Sequence, residues 1–271
     1  MTVGRVVVVT GGTRGIGLGL SRELLARGHQ VAVCGRSQAS VDAGVSALRD
    51  GLTDPGRVLG VVTDVCDRAA VQAMWDEVSA HFGRIDVWIN NAGLSAPRGP
   101  LAEQPPAMVD AVVQTNLIGV FNGSAVAQSG MAAQSGGGWI WNMEGFGSNG
   151  EHQPGMATYG ASKRAVQYLT EALVRDAKGS SVKIGFLSPG IVATDLLIGD
   201  YEGHPEEFEK VKKIFNILGD RVETVTPWLV DQLMGASKNG ARVAWLTKPK
   251  AMGRFMTAGF RKRDIFTPQE A

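Results

Sequence analysis

Short apolar runs alternate along the chain with longer stretches whose apolar residues recur every three or four positions. Val6 to Val9 is a β-branched run without a polar break, the pattern of a strand buried on both faces. Leu20, Leu24 and Leu25 mark one face of a helix that stops near Gly28, and Val31 to Cys34 gives a second strand. A helix from about Ser40 leads to a third strand over Val58 to Val62. Val71, Met74, Trp75, Val78 and Phe82 form the stripe of the next helix, and Ile85 to Ile89 the fourth strand. Pro105-Pro106 opens one long helical stretch through Val109, Val112, Val113 and Leu117 that ends before Gly136. Trp139 to Met143 is the fifth strand, followed by a helix carrying Ala165, Val166, Leu169 and Leu173 on one face. Val182 to Leu187 and Ala241 to Leu246 complete a set of about seven strands. Strands alternating with helices predict an α/β protein, a doubly wound parallel sheet in a single domain over residues 1–271.

Two of the junctions carry candidate chemistry. Thr10-Gly-Gly-Thr-Arg-Gly-Ile-Gly17 joins the first strand to its helix, where glycines let a pyrophosphate approach the backbone at a helix N-terminus. The ribose of such a dinucleotide would lie beyond the second strand. There Cys34-Gly35-Arg36-Ser37 offers no acid for a 2′-hydroxyl, whereas Arg14 and Arg36 suit a 2′-phosphate and favour NADP(H). Tyr159 and Lys163 stand four residues apart on one helix and share a face. A nearby ammonium favours the phenolate and pulls the phenol below its usual pKa of ~10, giving an acid able to protonate an alkoxide.

Composition narrows the class further. With 44% apolar and 20% charged residues, the 271-residue chain is an ordinary globular protein, and a net charge of +1 makes no case for nucleic acid. Cys34, Cys66 and the four scattered histidines lack metal-ligand spacing and point to a reducing compartment. No signal peptide is visible and no apolar run approaches the ~20 residues of a membrane span, so a soluble, cytoplasmic or otherwise intracellular protein is expected.

Together, Thr10-Gly-x-x-x-Gly-x-Gly17, Asp64, Asn90-Asn-Ala-Gly93, Asn116, Tyr159-x-x-x-Lys163 and Pro189-Gly190 resemble, in order, the motifs of the short-chain dehydrogenase/reductase family. The resemblance implies a Rossmann fold, NADPH/NADP+ as cofactor and a homodimer or homotetramer. It places Gly11, Thr13, Gly15, Ile16 and Gly17 in the pyrophosphate loop, Arg14, Arg36 and Ser37 near the ribose 2′-phosphate, and Asp64 and Val65 at the adenine. Asn91, Ala92 and Gly93 would line the cofactor, with Pro189, Gly190, Val192 and Thr194 at the carboxamide. Tyr159 would be the acid, Lys163 would also bind the nicotinamide ribose, and Asn116 would hold a water of the proton relay.

One position departs from the family. The serine that follows the fifth strand is absent, and Asn142-Met-Glu-Gly-Phe-Gly-Ser148 puts Gly145 in its place. Either Ser148 moves in, or Glu144 supplies a catalytic polar contact, or Tyr159 works without a partner. Residues 137–150 resemble the corresponding stretch of chlorophyll b reductases, which also show an acid followed by Gly. That implies NADPH-dependent reduction of the C7-formyl group of chlorophyll b, or a related tetrapyrrole, to hydroxymethyl. The alternatives are a reductase of another bulky hydrophobic aldehyde or ketone, and a non-catalytic NADP(H)-binding protein.

Residues 191–226 form a long connection before the last strand, expected to be a substrate lid. Phe208, Val211, Phe215 and Leu218 fall on one helical face there; Phe208 and Phe215, with Trp141, Met143, Phe146 and Ser148, are the candidate substrate contacts, the alternative being that these side chains only pack the core. The tail over 247–271 mixes Met252, Phe255, Met256 and Phe260 with Lys250, Arg254, Arg261, Lys262 and Arg263. Such a mixture suits a subunit contact or a weak contact with an anionic membrane surface.

Overall fold

The β-branched runs become the middle of a seven-stranded parallel sheet in the computed structural model, which describes residues 4–201, 205–261 and 263–267. Its strands are β1 (Val6–Val9), β2 (Gln30–Gly35), β3 (Val58–Val62), β4 (Val87–Asn90), β5 (Gly138–Met143), β6 (Val182–Ser188) and β9 (Arg242–Ala244). They lie in the order β3-β2-β1-β4-β5-β6-β9, so the winding reverses between β1 and β4 and leaves a crevice at their C-terminal ends. β7 (Val192–Ala193) and β8 (Asp220–Arg221) pair apart from the main sheet. The helices are α1 (Gly15–Ala26), α2 (Gln38–Arg49), α3 (Arg68–Phe82), α4 (Pro106–Val113) and α5 (Gly119–Ala133). They continue with α6 (Ala157–Asp176), α7 (Asp195–Gly199), α8 (Pro205–Leu218), α9 (Val222–Gly235) and α10 (Lys248–Thr257).

The two-residue period of β1 sends Val7 and Val9 into one core and Val6 and Val8 into the other. The first core is closed by Leu20 and Leu24 of α1 and by Val225, Leu229 and Leu233 of α9. The second contains Met74, Trp75 and Val78 of α3 with Val126 and Met131 of α5. Both faces of the sheet are therefore covered, which is why its strands carry no polar alternation.

Three expectations are corrected by packing. The long helix after Pro105-Pro106 is interrupted, because Gln114–Ile118 forms a π turn between α4 and α5. The connection expected to be a lid over 191–226 passes into a core helix before its end: α9 begins at Val222 and lies so close to α1 that a Cβ on Gly19 would come 2.4 Å from Val222 Cγ1. Trp141 and Met143 are core residues, not substrate contacts. Trp141 is fully buried, stacks on Trp139 at 4.9 Å, and fills the space above Gly185.

The apolar face of α8 is likewise satisfied within the protein. Phe208 and Phe215 pack with Tyr201, Ile265 and Phe266, with ring centroids 5.6 Å apart for Tyr201–Phe208 and 5.0 Å for Phe208–Phe266. They build a small core of their own, which corrects their assignment to the substrate. Beneath it, the buried carboxylate of Asp220 receives Arg254 at 2.7 Å, Trp245 Nε1 at 2.6 Å, and Arg263. Asp220→Ala should cost about 3 kcal/mol, since it strands two guanidinium groups and an indole N–H, and chemical denaturation would register the loss. On α10 and just after it, Met252, Phe255, Met256 and Phe260 are exposed. Lys262, residues 268–271 of the tail and residues 202–204 of the lid lie outside the described residues. No helix among the described residues is long and apolar enough to cross a membrane.

Candidate active site

The loop from Thr10 to Gly17 is shaped by contacts that exclude side chains. A Cβ on Gly17 would meet Asn91 Nδ2 at 2.5 Å, and Gly11, at φ +62°, lies against Ala92. Asn91 Nδ2 donates to the carbonyls of Thr10 (2.8 Å) and Gly11 (3.2 Å), while Thr10 Oγ1 accepts from the amides of Asn91 and Ala92. The strand β4 thus braces the glycine loop at the crevice. α1 starts at Gly15 with no side-chain cap and no acid in its first turn, leaving its amides to an anion. Ile16 packs partly on the first core, and the Thr194 methyl faces Gly15 across the loop, 3.6 Å from where a Cβ would stand.

Around this loop the remaining candidates fall into two groups. Arg14 and Arg36 are exposed at its rim, beside the acid-free end of β2. Ser37 caps α2 by accepting from the Ser40 amide, and Thr13 Oγ1 stands 2.9 Å from Ser40 Oγ, so both hydroxyls help to set the start of that helix. Asp64 is exposed and accepts from the Cys66 amide at 3.0 Å; the cap of α3 is Asp67. Val65 is buried, and its carbonyl accepts from Asn122. Pro189 and Val192 are buried, and Gly190 adopts φ +74° where a Cβ would strike Leu246. Glycine cradle, uncapped helix end and exposed guanidinium groups together fit a dinucleotide phosphate.

Tyr159 and Lys163 lie in the first turns of α6, as their spacing predicts. Lys163 is buried; its Nζ donates to the Met143 carbonyl at 3.2 Å and stands 5.8 Å from the centre of the Tyr159 ring. Burial pushes the Lys163 ammonium down to about 8, with the charge of Glu144 opposing the shift. The phenol does not show the lowered pKa expected from its lysine. Burial raises it above its ordinary value, and the carboxylate of Asp200 adds to the effect. The ammonium faces the Met143 carbonyl, so desolvation prevails. Asn116, fully buried in the π turn, accepts from the Leu94 amide (2.7 Å) and donates to the Leu94 carbonyl (2.8 Å) and Ser162 Oγ (3.0 Å). Its side chain is held by protein partners on both sides. It fixes the loop after β4 against α6, and Gly93 lies between Asn116 Oδ1 and Lys163 Nζ.

The end of β5 shows where the residues of the three readings for the missing serine lie. A Cβ on Gly145 would lie 2.4 Å from Tyr159 Oη, so the phenol occupies the notch beside that residue. Glu144 is buried and its carboxylate is engaged by Arg242; burial raises its pKa in spite of that partner. Ser148 is buried too, accepting from the Gly145 amide at 3.1 Å and donating to the Lys163 carbonyl at 3.3 Å. Both side chains are thus engaged in holding the turn. Phe146 is half-buried in the same turn.

Across from β5, the loop following Gly93 meets the lid. The Arg98 amide donates to the Asp200 carbonyl at 3.4 Å, and the Arg98 guanidinium lies 4.6 Å from the centre of the Tyr201 ring. Asp200 is buried at 7% exposure; burial lifts its carboxyl to about 6, against the opposing effects of Ser95 and Arg98. An acid that acts on the Tyr159 phenol was not among the expected site residues.

The short chain dehydrogenase family matches residues 5–203. The chain belongs to the short-chain dehydrogenase family. It is 33% identical over 279 aligned positions to a probable chlorophyll(ide) b reductase of Arabidopsis thaliana, covering 98% of this chain and 55% of that protein. A second chlorophyll(ide) b reductase of Arabidopsis thaliana is 33% identical over 274 positions, covering 97% of this chain and 77% of the relative. The chain thus spans about half the length of the first of these curated relatives. Among solved structures, levodione reductase superposes with a TM-score of 0.80 at 28% identity, covering 91% of this chain and 98% of that one.

In this short-chain dehydrogenase the residues missed from sequence share one property, which is that long-range packing brings them to the site. Asp200 follows a five-residue helix in the lid and meets Arg98, about a hundred positions earlier. No local spacing marks such a pair. Ser162, one residue before Lys163, is the hydroxyl that receives the Asn116 amide.

Proposed function

We propose that this short-chain dehydrogenase uses NADPH to reduce the C7-formyl group of chlorophyll b, or of a related tetrapyrrole, to hydroxymethyl. The observation that carries this reading is the convergence of Tyr159 Oη, Lys163 Nζ and the Asn116-held loop beside the glycine cradle. The likeness to two chlorophyll(ide) b reductases supports the substrate class. Bound NADPH supplies the hydride that reaches the formyl carbon. Tyr159 gives its Oη proton to the carbonyl oxygen as charge develops there, which completes the alcohol. Lys163, kept cationic below about pH 8, favours the phenolate left behind and binds the nicotinamide ribose. Asn116 keeps the Leu94 backbone and Ser162 in register, so the loop and α6 present their groups together. The assembly is a homodimer or homotetramer.

Purified protein mixed with NADPH and chlorophyll b tests the reading, with pigments resolved by chromatography. Appearance of the 7-hydroxymethyl product supports it; absence of product while simple aromatic aldehydes are reduced would leave a reductase of other bulky carbonyls. The likeness to levodione reductase favours that second reading. A protein that binds NADPH and reduces neither would be the non-catalytic relative that Gly145 also permits.

Arg14 and Arg36 serve as the 2′-phosphate contacts in this reading. Arg36→Asp removes a charge-assisted bond and offers an acid to a 2′-hydroxyl instead. NADPH affinity should then fall by about 10- to 100-fold while NADH affinity rises, as fluorescence titration with both would show.

A further inference from the structure

Three of the five buried side-chain polar atoms without a hydrogen bond among the described residues belong to one seam: Ser95 Oγ, Arg98 Nε and Tyr201 Oη. They gather where the loop after β4 meets the lid, around the buried carboxyl of Asp200. The seam is held rigidly against the acid of the site. Leu94, next to Ser95, is pinned on both backbone atoms by Asn116 at 2.7 and 2.8 Å. Gln104 donates to the Pro97 carbonyl at 3.3 Å and accepts from Thr158 Oγ1 at 2.5 Å, and Thr158 immediately precedes Tyr159. The Gly99 amide donates to the Gly155 carbonyl at 3.3 Å. At its other end the lid starts from Thr194 beside Gly15, so the segment Asp195 to Tyr201 runs from the cofactor loop to the seam.

Carbonyl reduction calls for a second hydrogen-bond donor on the oxygen that receives the proton. Gly145 has no side chain to give, Glu144 is bound to Arg242, and Ser148 is bound to its own turn. We propose that Asp200 supplies that donor, holding the carbonyl oxygen that Tyr159 protonates, with Ser95 and Arg98 as its positioning residues. The inference rests on the reductase reading above. Tyr159 loses its proton to the oxygen as hydride reaches the carbon; Asp200 keeps its proton throughout, so it forms and breaks no covalent bond.

The carboxyl must be neutral to donate, and its surroundings favour that form. Burial lifts it to about 6, and an apolar substrate that excludes more water would lift it further. The charged and titratable groups that bear on it are Arg98 from the loop, Tyr159 from α6 and Tyr201 beside it; the Ser95 hydroxyl and Arg98 draw it back towards the anion, less than burial raises it. Turnover should therefore fall as pH rises through the carboxyl's pKa in the substrate complex.

The test is kcat for NADPH-dependent reduction of chlorophyll b, with benzaldehyde as a second substrate, between about pH 5 and 8. Asp200→Ala should lower kcat by about 10²- to 10³-fold and abolish that pH limb. Asp200→Asn keeps a neutral donor in the same place and should restore most of the rate, now without the limb. An Ala variant with wild-type kcat and pH profile would overturn the proposal. So would equal losses in Ala and Asn with the limb intact, since a structural role alone predicts that. Wild-type protein that binds NADPH and reduces neither carbonyl would overturn the reductase reading, and this inference with it.

Discussion

Tyr159→Phe is expected to lower kcat by about 10³-fold and leave NADPH binding essentially unchanged, measured by steady-state reduction and by fluorescence titration. The substitution removes one oxygen and keeps the ring that stands 5.8 Å from Lys163 Nζ, so packing at the start of α6 is preserved. What is lost is the proton of the hydroxyl seated in the notch at Gly145. The raised phenol pKa helps to place this step. A phenol that resists ionisation stays protonated through the neutral range and is ready to donate, and developing charge on the substrate draws the proton away. Lys163 adds a second alkaline limb above the one set by Asp200. Its cation exists below about pH 8 and is lost above it, so kcat/KM should decline further as pH rises past that value. In Lys163→Met this upper limb should vanish together with most of the rate. Wild-type turnover in Tyr159→Phe would remove the phenol from the mechanism altogether.

The scaffold of this site was legible because it is encoded locally. The run Val6 to Val9 can only be a doubly buried strand, and the glycines after it need the close approaches that Gly11 and Gly17 make to Ala92 and Asn91. Helical spacing put Tyr159 and Lys163 on one face, and the ordered motifs around them gave the pair its weight. The substrate side was left between pocket and core because amphipathic patterning states only that a face is buried, not against what. Trp141, Met143, Phe208 and Phe215 all bury apolar surface as expected, but against Trp139, the main core and Phe266. The electrostatics were misjudged for a related reason. Spacing shows that an ammonium and a phenol share a helix face, whereas the phenol's acidity depends on how much water reaches it and on Asp200, which sequence places far away. Pro227 concealed α9 in the same manner: Val222, Val225, Leu229 and Leu233 have helical spacing, and the proline near the start of that helix reads as a break.

Restoring the family's serine should harm this protein. A Cβ at position 145 would fall 2.4 Å from Tyr159 Oη, 3.1 Å from Cζ and 3.2 Å from Lys163 Cγ, so Gly145→Ser forces the phenol out of its seat by about an ångström. A displacement of that size at a reacting group costs about 10²-fold in rate, more than one added donor regains when the oxygen it should hold has moved. Gly145→Ala separates the two effects, since it carries the same Cβ without the hydroxyl. Both variants should lose activity alike, with the Ser variant no better than threefold above the Ala variant if the clash dominates, an estimate of about 0.6 kcal/mol. Gly145 has an ordinary backbone angle, so neither change strains the chain, and thermal unfolding should register little difference. A Ser variant faster than wild type would mean that the phenol yields freely and that the vacant donor position had been limiting the reaction. Loss in both variants would show instead that glycine, turn and phenol are fitted to one another. The second contact on the carbonyl must then come from a wall other than β5, and the lid carrying Asp200 is the wall that meets the loop beside Tyr159.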